Sequence, residues 1–268
     1  MKNVKIHDEI LEYCRILKLG GIAESFEEAE EDAQDYEEFL HRILEQQLER
    51  VDANALKSRI RRAKFPYPKY LEDLETDCLP KAMKQYLPEL ATLKFINDGR
   101  NLIMTGNPGT GKTHIAIGLG MKACEAGYKV LYTTVPLLVT ELKECNDNKK
   151  LRTYERRFEK YDLVIADELG YISFDREAAD LLFNCLSLRA AGRSTIVTSN
   201  LSFSRWSEIF GDPAITGAIV DRLTYKAVLV DMTGDSYRYR ETLKTYGKGI
   251  PDGISPVPMQ AAQAEATV

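Results

Sequence analysis

A chain of 268 residues, 44% of them hydrophobic and 29% charged, has the material for one ordinary α/β domain with something smaller attached. No run of about 18 uncharged apolar residues occurs, and Met1-Lys2-Asn3-Val4-Lys5 opens into a mixed polar segment, so a soluble, cytoplasmic protein is expected, neither secreted nor membrane-bound. Five cysteines without a C-x-x-C pair exclude a disulfide framework and a zinc site, and the net charge of −5 would argue against nucleic acid if it were evenly spread.

The charge is not evenly spread. From Gly20 to Leu40 nine acids occur with no Lys or Arg, whereas Lys57 to Lys69 carries Lys57, Arg59, Arg61, Arg62, Lys64 and Lys69 with no acid. Ile10, Cys14 and Leu17, then Leu40, Ile43, Leu44, Leu48 and Val51, recur at helical spacing, which predicts a small all-helical unit over residues 1–65. Ser25 with Glu28 has the spacing of a capping box for its second helix. On a helix Lys57, Arg61 and Lys64 share one face flanked by Arg59 and Arg62, a stripe suited to DNA phosphates or to plain solvation.

Phe65-Pro66-Tyr67-Pro68 must break the helical pattern, because proline removes a donor and biases its predecessor to extended geometry. This is the expected boundary with a second domain over residues 66–247. There five β-rich runs, Asn101–Thr105, Lys129–Thr134, Asp162–Asp167, Ser194–Ser199 and Ala227–Asp231, alternate with helical stretches, which predicts a parallel five-stranded sheet flanked by helices. Residues 248–268, rich in Gly, Pro, Ala and Gln, have little to bury and read as a disordered tail.

Gly106-Asn107-Pro108-Gly109-Thr110-Gly111-Lys112-Thr113 satisfies G-x-x-x-x-G-K-[ST] in full, after one expected strand and before a helix from His114. Its glycines let amides turn inward around phosphate, Lys112 reaches the β- and γ-phosphates of ATP, and Thr113 ligates Mg²⁺. The apolar run Leu163-Val164-Ile165-Ala166 leads into Asp167 and Glu168. Asp167 is expected to serve the magnesium and Glu168 to polarise the attacking water, though such a pair standing alone more often marks a turn. Asn200, just past a strand, is placed either to sense the γ-phosphate or to cap the next helix.

GNPGTGKTHIAIGLG, LVIADELGY, STIVTSNLSF, AIVDRLTYKA and GDSYRYRE together resemble the IstB family of transposition helper ATPases, relatives of the DnaC helicase loaders in the AAA+ superfamily. LEYCRILKLGGIAESF is similar to the family's opening. The resemblance implies that Asn200 is the first sensor and Arg222 an arginine finger reaching a neighbouring subunit's ATP; without the family pattern, Arg222 reads equally well as a surface residue. It also implies a short C-terminal segment in place of a full lid, with Arg238 or Arg240 in part of the second sensor's role, unless the Tyr-Arg alternation is an edge strand. Lys143, Lys149, Lys150 and Arg152 fall where initiator-type relatives insert a DNA-facing element.

The leading reading is therefore an ATP-dependent oligomer that deforms duplex DNA, marks the target, and recruits a transposase that triggers hydrolysis. A helicase loader is the nearest rival, since the ATPase blocks are shared. A metabolic P-loop kinase lacks its substrate lid here, and a non-hydrolysing DNA scaffold sits poorly with the presence of both Asp167 and Glu168.

Overall fold

The computed structural model describes residues 4–189 and 192–246. Three helices open it: α1 (Val4–Leu17), α2 (Gly20–Asp32) and α3 (Tyr36–Ala63). The capping box expected at Ser25 is not there. Ser25 lies inside α2 and donates to the Gly21 carbonyl at 2.9 Å, while the first amides of α2, those of Gly21 and Ile22, donate to Gln47 Oε1 on α3. A cap supplied across the helix pair makes a local one unnecessary. The local cap belongs to α3, where Asp35 accepts from the Glu38 amide at 2.8 Å and Glu38 in turn accepts from the amide of Gln34.

The C-terminal turns of α3 join the main core. Leu56 and Ile60 pack against the main core, Ala63 is buried within it, and Arg59 Nε donates to the Cys124 carbonyl at 2.8 Å. The helix stops at Lys64, which takes a left-handed φ of 61° before the proline segment.

Two single 3₁₀ turns, Leu71–Asp73 and Thr76–Cys78, lead to α4 (Lys81–Leu90) and α5 (Lys94–Asn97). The chain then runs β1 (Leu102–Thr105), α6 (Lys112–Glu125), β2 (Val130–Thr134), α7 (Val135–Asp147), α8 (Leu151–Phe158), β3 (Leu163–Leu169) and α9 (Arg176–Ser187). It continues through β4 (Ser194–Ser199), α10 (Ser207–Phe210), α11 (Pro213–Thr224) and β5 (Val228–Asp231) to α12 (Tyr237–Tyr246). The Tyr-Arg alternation is thus the start of a helix rather than an edge strand. The expected tail at 248–268 lies outside the described residues.

All five strands pair in parallel in the order β2-β3-β4-β1-β5. Alternating side chains feed two cores: Leu102 and Met104 meet Ile115 and Leu119 of α6 on one face, and Ile103 meets Leu138, Leu182 and Leu223 of α7, α9 and α11 on the other. β3 does not end at its acidic pair. It runs on to Leu169, and its register against β4 slips between Ala166 and Leu169, a bulge at Asp167 and Glu168.

Candidate nucleotide site

The loop Gly106–Gly111 joins β1 to α6 at the carboxyl end of the sheet, where open α/β sheets bind ligands. Two of its glycines are required by close approach and by backbone. Gly106 (φ 142°) lies so near the main chain of Met232 and Thr233, and Gly109 (φ 80°) so near Ser236, that a Cβ on either would collide. Lys112 opens α6 and turns its ammonium back to the carbonyls of Gly106 and Asn107, at 2.7 and 2.6 Å. Burial lowers its pKa to about 8, against an opposing pull from Asp167 and with help from Arg238.

Asp167 is fully buried, and three hydroxyls donate to it: Thr113 to Oδ1 at 3.1 Å, Tyr132 to Oδ2 at 2.7 Å, and Thr198 to Oδ1. Its neighbour Glu168 adopts φ 66° and points into the cavity. Burial, and then the Asp167 charge, raise the Glu168 carboxyl above the ordinary Glu range, with Arg238 opposing. Asp167 and the Thr113 hydroxyl are hard oxygen donors of the kind that hold Mg²⁺ together with phosphate oxygens. Among the described residues no group of three or more His, Cys, Asp or Glu could hold a metal by itself.

Lys112, Thr113, Glu168 and Thr198 line a cavity of about 500 Å³, the size of a small-ligand pocket, and Asp167 lies buried behind it. Pro108, Gly109, Thr110, Gly111, Lys112, Thr113 and His114 form one side, with Glu168, Asn200 and Arg238 beside them. Asn107 braces the loop by donating to the Gly234 carbonyl at 3.2 Å. Of the two arginines on α12, Arg238 lines the cavity, whereas Arg240 turns away to donate to the Cys78 carbonyl at 3.3 Å. Arg222 is exposed on the last turn of α11 and is not brought to this cavity.

The opposite wall comes from the proline segment and the 3₁₀ turns, through Tyr67, Leu74, Cys78 and Leu79 among others. This wall, like Tyr132 and Thr198, went unread in the sequence. The segment carries no motif, and a hydroxyl one strand away gives no signal until the strands are paired.

The basic residues divide. Lys57, Arg61 and Arg62 are exposed on α3, Arg59 is held by Cys124, and Lys64 pairs with Glu141 at 3.4 Å. Lys143 pairs with Asp175 at 2.6 Å, and Lys149, Lys150 and Arg152 are exposed around the turn from α7 into α8. All five cysteines are free, and among the described residues no helix is long and apolar enough to cross a membrane.

The sheet order, the P-loop after β1 and the acidic pair on β3, one strand removed across β4, define an AAA+ ATP-binding protein, the class to which ATPase activity in general belongs. Residues 13–245 match the family described as IstB-like ATP binding protein, and the chain belongs to that family. It is 36% identical over 87% of its length, and 95% of the other's, to a protein described as ATP-binding from insertion sequence IS5376 of Geobacillus stearothermophilus. It is 35% identical, over 81% of its length and 82% of the other's, to the counterpart from insertion sequence IS21 of Pseudomonas aeruginosa. Among solved structures it is similar in fold to a replication initiator DnaA bound to AMPPCP and single-stranded DNA (TM-score 0.54, 18% identity, 70% of this chain and 59% of that one). It is similar in the same way to DnaI (TM-score 0.52, 21% identity, 63% and 89%).

Proposed function

We propose that this chain is a Mg²⁺-dependent ATPase that assembles as an oligomer on duplex target DNA, deforms it, and recruits and stimulates a transposase. DNA and that partner in turn stimulate hydrolysis. The observation carrying the reading is the reach of the family match, which covers residues 13–245 and so takes in most of the N-terminal helices as well as the ATPase core, with relatives drawn from insertion sequences. A helicase loader needs the core alone to be alike, and the DnaI likeness spans 63% of this chain.

In this reading the P-loop amides and the Lys112 ammonium grip the β- and γ-phosphates. Thr113 and Asp167 hold the magnesium, which when bound neutralises phosphate charge. A Glu168 carboxylate oxygen takes the proton of the water that attacks the γ-phosphorus, and Asn200 orients that water. Arg238 in the same subunit, and Arg222 delivered from a neighbour, balance charge developing on the transferred group. The ATP sites thus lie between subunits, and of the two basic groups Lys57, Arg61, Arg62, Lys149, Lys150 and Arg152 are the exposed cations offered to phosphate.

Imaging the protein with duplex DNA, with and without ATP, tests this. ATP-dependent oligomers on bent duplex, absent in Lys112→Ala, are expected. ATP hydrolysis without any duplex binding, together with stable capture of a replicative helicase, would overturn it in favour of the loader.

A further inference from the structure

We propose that Thr198 is a positioning residue for ATP hydrolysis: its one hydroxyl ties the Asp167 carboxylate to the main chain of Glu168 and so fixes where the Glu168 side chain enters the cavity. This rests on the reading of Glu168 as the group that activates water.

The register of the sheet shows the need. Ala166 faces Val197 and Leu169 faces Ser199, so Asp167 and Glu168 together stand opposite the single residue Thr198. At this bulge Glu168 takes the left-handed region at φ 66°, with Asp167 buried at 0% exposure and Glu168 open to the cavity. A bulge also takes the Glu168 amide out of the ladder, and a partly buried amide without a partner is costly. Thr198 supplies that partner with its side chain: Oγ1 accepts from the Glu168 amide at 3.0 Å and donates its own proton to Asp167 Oδ1. Thr198 is itself 2% exposed and borders the cavity. Thr113 and Tyr132 also hold Asp167, but neither is seen to bond Glu168. Thr198 alone among the three hydroxyls links both acids.

The test compares Thr198→Val, which keeps the shape without the hydroxyl, with Thr198→Ser, which keeps the hydroxyl. Turnover and affinity for a non-hydrolysable ATP analogue are measured on the full chain. Thr198→Val is expected to bind the analogue within about threefold of the parent and to lose roughly tenfold or more in kcat, and Thr198→Ser to regain most of it. In a Glu168→Gln background Thr198→Val should cost nothing further, because the group it positions is already disabled. Parent-like kcat in Thr198→Val, or equal losses in the Val and Ser variants, would overturn the proposal. If Thr198→Val does not fold, Thr198→Cys, a poor donor and acceptor, takes its place against Thr198→Ser. Parent-like turnover in Glu168→Gln itself would instead remove the reading of Glu168, and is seen without any change at Thr198.

Discussion

The amide of Tyr237 donates to the carbonyl of Gly109 at 2.9 Å, so the first turn of α12 rests on the tip of the P-loop. Arg238, the next residue, thereby reaches the cavity. Gly109→Ala should drive the new methyl into Ser236 and strain a φ of 80°, at a cost of about 1–2 kcal/mol for the backbone alone. Weakened ATP-analogue binding is expected, and Gly109→Ala/Ser236→Gly should recover part of the loss by removing the clash but not the strain. Calorimetric titration of the three proteins checks this; unchanged affinity in Gly109→Ala would separate α12 from the loop.

In the proposed function Lys112 binds phosphate as its charged form, and its pKa near 8 without nucleotide lies below that of an ordinary lysine. As pH rises through that value the ammonium is lost, so affinity for the ATP analogue should fall, approaching tenfold per pH unit well above it. Below it affinity should level off. Lys112→Arg should bind with little pH dependence over the same range, because a guanidinium stays protonated, and Lys112→Ala should not bind. An affinity flat from about pH 7 to 9.5 in the parent would contradict the lowered value.

In the proposed function Glu168 works as the carboxylate, and its pKa is raised, so hydrolysis should fail on acidification at a pH above the ordinary Glu range. Glu168→Gln should bind ATP and assemble on DNA yet hardly turn over. Arg222→Ala, exposed and away from its own cavity, should bind nucleotide without hydrolysing it and be partly rescued by mixing with Lys112→Ala, since a mixed interface can join an intact P-loop to an intact finger. DNA-stimulated ATPase activity across mixing ratios is the measurement. Activity never above the sum of the two mutants would remove the shared site.

Neutralising Lys57, Arg61 and Arg62 should weaken duplex binding at all sequences and lower the log–log salt slope by ~0.9 for each lost phosphate contact. Arg59→Ala should leave that slope alone and cost stability instead, about 1 kcal/mol for its bond to the Cys124 carbonyl. Salt titrations and urea unfolding separate the two outcomes, and equal slope changes in both variants would mean that Arg59 also meets DNA.

Arg189 is 1% exposed and donates to the carbonyls of Phe158, Tyr161 and Ser194 at 3.0, 2.9 and 2.7 Å. Those acceptors lie at or before the starts of β3 and β4, at the far end of the strands from the cavity. Arg189→Met should therefore destabilise by about 3 kcal/mol, leaving buried carbonyls unpaired, with ATP affinity in the folded fraction nearly unchanged. A loss under about 1 kcal/mol in urea unfolding would contradict this.

Local features can be read from the chain alone. The P-loop needs eight consecutive residues, and the five strands announce themselves by short β-rich runs between helical ones, so both were legible with boundaries off by no more than two residues. Features that depend on a partner distant in the chain emerge only on folding. Gln47 caps α2 from α3, and Arg59 leaves the basic stripe for a carbonyl of α6. Thr198 reaches Asp167 only because β3 and β4 are neighbours, and Arg238 rather than Arg240 faces the cavity because Tyr237 anchors α12 to Gly109. The physical reason is the same each time. A buried donor or acceptor must find a partner wherever packing puts one, and packing joins residues whose distance along the chain carries no trace of the contact.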